Sequence, residues 1–243
     1  MNVPAGAGDP RVRVVPDAAA LAAEAAALFA ASADRAIAAR GEFHCALPGG
    51  RSVRGMLGRL ARAPFADTVN WKRVVIYFAD ERAVPPVHEA SNYRLVREAL
   101  LDPLGERAPR CERMRGEVAD LAAEAHDYAA LLEAPLDLVV LGLGEDGHVA
   151  SLFPGSPLLG STRERAAAVL DSPKPPDQRL TLTPRALDEA RELLVLASGG
   201  EKAAAARSAL ALQGAESVTP ARLARVARAT WLLDEAAAAS LAR

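Results

Sequence analysis

Short apolar runs alternate with longer amphipathic stretches through most of this chain, and polar or glycine-rich turns mark the changeovers. From Asp17, a fit N-cap, an Ala-rich stretch carries Leu21, Leu28, Phe29 and Ile37 at mostly helical spacing to Arg40 and stops at Gly41. That pattern predicts a long first helix. Apolar runs at 43–47, 74–78, 138–141 and 193–197 are each closed by a turn and followed by an amphipathic segment, with the first of those segments opening as a helix near Val53. Apolar runs of this length between helices are the pattern of a parallel sheet covered on both faces, so the fold class is α/β. A further strand over 226–233, containing Trp231, and a closing helix over 234–241 are expected at the end of the chain. Residues 1–10 read as a loose tail and 11–243 as one domain, since no repeat, heptad or low-complexity linker divides them.

Composition narrows the partners. The 243 residues are 51% hydrophobic and 25% charged, ordinary for a globular chain. With 29 Lys+Arg against 31 Asp+Glu, a net charge of -2 gives no general attraction to nucleic acid or an anionic membrane. The two cysteines, Cys45 and Cys111, have neither the number for a disulfide framework nor the spacing of a zinc site. The opening MNVPAGAGDPRVRVV lacks the charged start and apolar run of a signal peptide, and no stretch has the length of a membrane span. A cytoplasmic protein is expected, a monomer or weak homodimer with a small-molecule ligand and no nucleic-acid or membrane partner.

In parallel α/β sheets ligands bind outside the carboxyl ends of the strands, and the four loops leaving those ends carry the chemistry here. Gly49-Gly50-Arg51-Ser52 offers backbone amides, a hydroxyl and a helix start to an anion, or is simply a tight turn that needs glycine. It lacks the Lys and spacing of a nucleoside-triphosphate loop. The run Gly142-Leu143-Gly144-Glu145-Asp146-Gly147 satisfies the glycine pattern of a dinucleotide site, with Asp171 at the place of a ribose-binding acid. Phe153-Pro154-Gly155-Ser156-Pro157, however, breaks the helix that such a site needs.

Of the histidines, His44 lies in an apolar strand, His88 in a Pro-flanked loop and His126 on a polar helix, places that suit structure or solvation. His148 follows two glycines and an acid at a strand end, where an imidazole can take a proton from water and return it to a leaving alkoxide. Asp146 either orients that ring or ties up loop amides. Asp80-Glu81-Arg82 ends another strand; Arg82 can bind an anion or polarise a carbonyl, and the acids can position a substrate or pair with it structurally. Asn92 is a helix-cap element or a substrate contact. Arg179 and Lys202 add positive charge near the same edge, and the Pro-rich 172–177 stretch is a loop and a candidate cover for the site.

Taken in order, Leu47-Pro48-Gly49-Gly50-Arg51-Ser52, Asp80-Glu81-Arg82-Ala83-Val84-Pro85 with Ser91-Asn92-Tyr93, the run from Gly142 through Asp146-Gly147-His148 to Ala150-Ser151-Leu152-Phe153-Pro154-Gly155, Arg179-Leu180-Thr181-Leu182-Thr183, and Gly200-Glu201-Lys202 resemble the 6-phosphogluconolactonase family. The resemblance spans nearly the whole chain, and Asp-Gly-His followed by Ala-Ser-Leu-Phe-Pro is its most diagnostic part. It implies a doubly wound, Rossmann-like α/β sheet shared with glucosamine-6-phosphate deaminases, and hydrolysis of a phosphosugar lactone without metal or cofactor. It also implies His148 as the base, aided by Asp146 and Arg82. Gly49, Gly50, Arg51, Ser52, Arg179 and Lys202 would surround the phosphate, and Arg82 and Asn92 would hold the sugar acid. Asp80, Glu81, Gly144, Gly147 and Ser151 complete the expected binding set. The chain departs from the family pattern at Pro48, where Ser is usual, and at Ser52-Val53, where Thr-Pro is common. The deaminases continue their Asp-Gly-His with Phe-Asn-Glu-Pro and carry Asp-Glu-Tyr at the earlier strand end; Ser151-Leu152-Phe153-Pro154 and Asp80-Glu81-Arg82 stand here instead. A sugar-phosphate-sensing regulator on this fold would add a DNA-binding module, and no segment reads as one.

Overall fold

The structure, a computed structural model, describes residues 2–3, 8–160 and 163–241. Its strands are β1 (Asn2–Val3), β2 (Arg11–Val15), β3 (Phe43–Leu47), β4 (Val74–Phe78), β5 (Asp80–Arg82), β6 (Arg110–Cys111), β7 (Leu138–Gly142), β8 (Ala166–Val169), β9 (Arg179–Leu182), β10 (Glu192–Ala197) and β11 (Ala229–Asp234). The helices are α1 (Ala18–Arg40), α2 (Arg51–Leu60), α3 (Phe65–Thr68), α4 (Asn92–Val96), α5 (Asp102–Leu104), α6 (Leu121–Leu131), α7 (Pro184–Glu189) and α8 (Ala203–Leu210). α4 continues through a π-wound stretch, Arg97–Leu101, into α5.

The large sheet runs in the order β1-β2-β11-β10-β7-β3-β4-β6, parallel from β2 to β6, with β1 antiparallel at one edge. The chain winds from β3 outward to β4 and β6, then returns to β7 on the other side of β3 and winds through β10 to β11. The β3/β7 boundary is therefore the switch point at which an open α/β sheet leaves a crevice. Of the tail expected over 1–10, residues 1 and 4–7 lie outside the described residues, while Asn2–Val3 pair with β2.

Side-chain alternation shows how both faces are covered. Phe43 meets Phe29 of α1 edge-on, with ring centroids 5.2 Å apart, and Trp71 stacks behind Phe29. The next residue, His44, faces the other way, stacks on Tyr77 of β4 and bonds Glu42, a structural role. Tyr77 in turn meets Tyr128 of α6. α1 is the long first helix expected: the Asp17 side chain accepts from Ala20 N, and Gly41, at φ 85°, closes the other end. Its buried stripe is mostly alanine, so α2 approaches closely, and a Cβ on Gly55 would stand 3.2 Å from that of Ala22.

A second sheet, not expected from the sequence, is three-stranded and antiparallel in the order β5-β9-β8. One residue links it to the first: Ala79 N donates to Leu47 O of β3, and Ala79 O accepts from Leu182 N of β9. Two other expectations need correction. The last strand begins at Ala229, because Val226 O closes a turn on Ala229 N. The closing helix over 234–241 is a series of turns, in which Ala238 N reaches back four residues to Asp234 O but Leu241 N reaches back only three, to Ala238 O. Asp234 lies at the start of that stretch with its side chain capping Ala237 N, and mixed bonding of this kind does not propagate a helix.

Tyr128 fixes the end of β4 from which the second sheet departs. Its hydroxyl accepts from Phe78 N at 2.7 Å and lies 3.3 Å from Glu112 O, fully buried. Tyr128→Phe leaves that buried N–H without a partner, and urea unfolding is expected to show a loss of about 1–3 kcal/mol with an unchanged m-value.

Candidate active site

The crevice at the switch point is a cavity of about 560 Å³, walled by the loops leaving β3, β7 and β10 and by the second sheet. The β3 loop turns at Gly50, whose φ of 107° needs glycine, and releases α2 at Arg51. α2 has no side-chain cap, so the amides of Arg51, Ser52 and Val53 at its start remain available beside the cavity these residues line. Gly49 is required for a different reason. A Cβ there would lie 2.0 Å from Asn92 Oδ1.

The β7 loop folds back on itself through Gly144 N to His148 O and Gly147 N to Gly144 O, with Gly147 at φ 84°. The imidazole lies against Gly144, where a Cβ would be 2.0 Å from Nδ1. His148 Nδ1 and Asp146 Oδ1 are 2.5 Å apart. A carboxylate at Nδ1 holds the proton on that nitrogen and leaves the lone pair on Nε2, in a residue that lines the cavity. Burial works to raise the Asp146 carboxyl, but the bond to His148, its charge and the Lys174 ammonium at 3.3 Å outweigh it and hold Asp146 well below the usual carboxylate range. Phe153 backs the imidazole at 4.6 Å, and the Arg179 guanidinium lies over the Phe153 ring at 5.4 Å. Ala150, which also lines the cavity, is held at φ 50°, left-handed backbone for a residue with a Cβ. The tight turn from Val149 O to Leu152 N keeps it there.

Beneath this runs a buried polar frame. Asp80 Oδ1 accepts from Asn92 Nδ2 at 3.0 Å and Oδ2 from Ser151 Oγ at 2.8 Å. Ser151 N donates to Thr181 Oγ1, and Arg179 Nη1 approaches Ser151 Oγ at 3.5 Å. Glu81 points the other way and gathers the backbone amides of Arg82, Asn92 and Tyr93 and the Ser91 hydroxyl, all within 3.0 Å. Burial pushes its carboxyl up, and those amides pull it back. Arg82 reaches the cavity with Nη1 bonded to Ala90 O and a buried Nε that has no partner among the described residues. The cap of α4 is Ser91, bonded to Arg94 N, and not Asn92, whose side chain is turned under the glycine loop.

Gly49, Gly50, Arg51, Ser52, Asp80, Arg82, Gly144, His148, Arg179 and Lys202 thus line one cavity, as the strand-end reading expects. Glu81, Asn92, Gly147 and Ser151 do not line it; they brace the wall from behind, and Asp146 acts on the cavity through His148 and Lys174. Arg179 is almost wholly occupied: Nε donates to Pro176 O and Nη2 to Lys174 O and Pro175 O, so it folds the 172–177 loop about itself. Burial lowers its pKa, against the charge of Asp80. Lys174 and Glu201 also line the cavity, and Glu145 stands at its mouth beside Lys202; the sequence reading did not single out any of the three. The Pro-rich loop was the available signal for Lys174. Among the described residues no group of three His, Cys, Asp or Glu is placed to hold a metal ion, and no helix is long and apolar enough to cross a membrane.

Comparison with known proteins agrees with this geometry. The model of the family described as glucosamine-6-phosphate isomerases/6-phosphogluconolactonase matches residues 16–232. A 6-phosphogluconolactonase of Streptomyces coelicolor is 38% identical over 251 residues, covering 96% of this chain and 95% of its own. One of Mycobacterium tuberculosis is 35% identical over 245 residues, covering 95% and 98%. Among solved structures, a 6-phosphogluconolactonase from Shewanella baltica superposes with TM-score 0.80 at 29% identity over 92% of this chain and 96% of that one. A monomeric glucosamine-6-phosphate deaminase superposes with TM-score 0.81 at 20% identity over 94% and 99%, a likeness of fold. The cavity at the switch point, the Asp-Gly-His loop and the extent of these matches agree: the chain belongs to the glucosamine-6-phosphate isomerase/6-phosphogluconolactonase family.

Proposed function

We propose that this chain is a 6-phosphogluconolactonase, hydrolysing 6-phospho-D-glucono-1,5-lactone to 6-phosphogluconate in the oxidative pentose phosphate pathway, with His148 as the base that activates water. The relatives of similar length support the activity. The observation that carries the mechanism is the 2.5 Å contact of Asp146 with Nδ1 of His148, a cavity-lining residue, which leaves the lone pair on Nε2. The lactone's phosphate lies against the first turn of α2, with Arg51 and Lys202 beside it, and its carbonyl carbon faces His148. Nε2 takes a proton from water as the oxygen attacks that carbon. Arg82 and the loop amides receive the charge that develops on the carbonyl oxygen. The tetrahedral intermediate then expels the ring oxygen, which takes the proton back from the imidazolium, so the steps balance without a cofactor. A δ-lactone already hydrolyses slowly in water, and binding energy at the remote phosphate supplies much of the orientation still needed. The reading extends to residues 11–243 as one catalytic domain, acting in the cytoplasm as a monomer or weak homodimer.

The direct test is hydrolysis of freshly prepared lactone, coupled to NADP reduction by 6-phosphogluconate dehydrogenase, with glucosamine 6-phosphate deamination assayed beside it. Lactonase turnover well above the spontaneous rate is expected; folded protein that only deaminates would sink the assignment. His148→Asn is expected to lower kcat about 10²- to 10⁴-fold with product affinity kept, and an equal fall in both would make His148 a binding residue.

Although burial works to raise it, the bond to His148 and the Lys174 ammonium hold the Asp146 carboxyl low, so Asp146 remains ionised through the range in which the enzyme would work. Asp146→Asn is expected to lower kcat about tenfold or more through loss of the tautomer lock, with KM nearly kept. An unchanged kcat in that variant, measured by steady-state lactone hydrolysis, would remove Asp146 from the pair.

A further inference from the structure

Two of the cations at the mouth of the cavity are already neutralised by carboxylates of neighbouring loops. Arg51, at the end of the β3 loop, bonds Glu201 Oε1 of the β10 loop at 2.7 Å. Lys202, one residue on, pairs with Glu145 Oε1 of the β7 loop at 3.6 Å. The pairs chain three loops together around the entrance, and both cations line the cavity. Glu201 has a built seat, since its carboxylate folds over Gly199, where a Cβ would lie 2.3 Å from Oε2 and where φ is 100°. Gly199 is itself held by Asp234, which accepts from Gly199 N and from Ser198 Oγ. Its own backbone N–H, and then the charges of Arg51 and Lys202, hold the Glu201 carboxyl below the usual carboxylate range. Glu145 is on the solvent side, its side chain 62% exposed against 19% for Lys202.

We infer that Glu145 and Glu201 are specificity residues: internal carboxylates that occupy Arg51 and Lys202 when the site is empty and yield them only to a phosphate dianion. The inference rests on the phosphate placement proposed above. An open pair of cations beside free helix amides would collect any small anion. With a carboxylate on each cation, an incoming group must match the two charges it displaces, which a phosphate dianion does and a single carboxylate does not. The exchange also runs backward. After hydrolysis the two glutamates compete with the product's phosphate for the same cations and hasten its release.

The test compares the double variant Glu145→Gln/Glu201→Gln with the wild type, and with Arg51→Ala and Lys202→Ala, by steady-state lactone hydrolysis. In the double variant KM for the phosphorylated lactone and Ki for 6-phosphogluconate should each fall about two- to fivefold, the range of an exposed ion pair. KM for unphosphorylated gluconolactone should not move. Arg51→Ala and Lys202→Ala should raise KM for the phosphorylated lactone with kcat nearly kept. If those two alanine variants leave KM unchanged, the phosphate placement itself is wrong. If they raise it while the double variant does not lower it, or lowers it equally for the unphosphorylated lactone, the exchange alone is overturned. A raised KM in the double variant overturns it as well, because the glutamates would then be holding the cations in place for substrate.

Discussion

From β3 the chain winds outward through β4 to β6, and from β7 it winds the other way through β10 to β11, so the loops leaving β3 and β7 part from one another over the carboxyl edge of the sheet. The cavity lies in that gap. The uncapped start of α2, the His148 loop and the β10 loop all line it. Parallel pairing holds the three strand ends in register, β3 to β7 through Cys45 and Leu138 and β7 to β10 through Val139 and Leu193. The loops that carry the start of α2 and His148 are therefore anchored by the register of the sheet.

The wall of the crevice is polar and buried, a costly combination unless every group is partnered. Asp80 and Arg179 are both nearly inaccessible, and Ser151 stands between them as a neutral relay instead of letting them form a direct buried ion pair. Glu81 solves the same problem by gathering N–H groups, which ties β5 to the start of α4. The frame also explains why Asn92 belongs below the glycine loop: with Nδ2 anchored on Asp80, its carbonyl forms the floor that only a glycine can pass over.

Much of this was legible along the chain because it is local. Apolar runs closed by Gly, Asp or Ser turns gave β3, β4, β7 and β10 within a residue or so, and the conformations of Gly50, Gly147 and Gly199 follow from turn chemistry. The second sheet was not legible, since β5 is three polar residues, Asp80-Glu81-Arg82, whose partners lie about a hundred positions away in β9. The closing segment after Asp234 has a helical composition, but Asp234 is drawn to Ser198 and Gly199 and the stretch turns instead. Pairings such as Arg51 with Glu201 or Lys174 with Asp146 join residues remote in sequence, and a charge pattern read in one dimension does not reveal them.

Ala79 connects the two sheets as a single residue with both of its backbone groups in use, one toward each sheet. Along a strand successive side chains point to opposite faces, so the length of this connection sets a parity. With one residue between Phe78 and Asp80, the shorter acid is turned to the crevice and the longer one to the backbone amides of α4. One residue more or fewer would exchange them, presenting a longer carboxylate to the crevice and leaving the amides at the start of α4 to one too short to reach them. The spacing of a single small residue thus decides which of two adjacent acids faces the crevice.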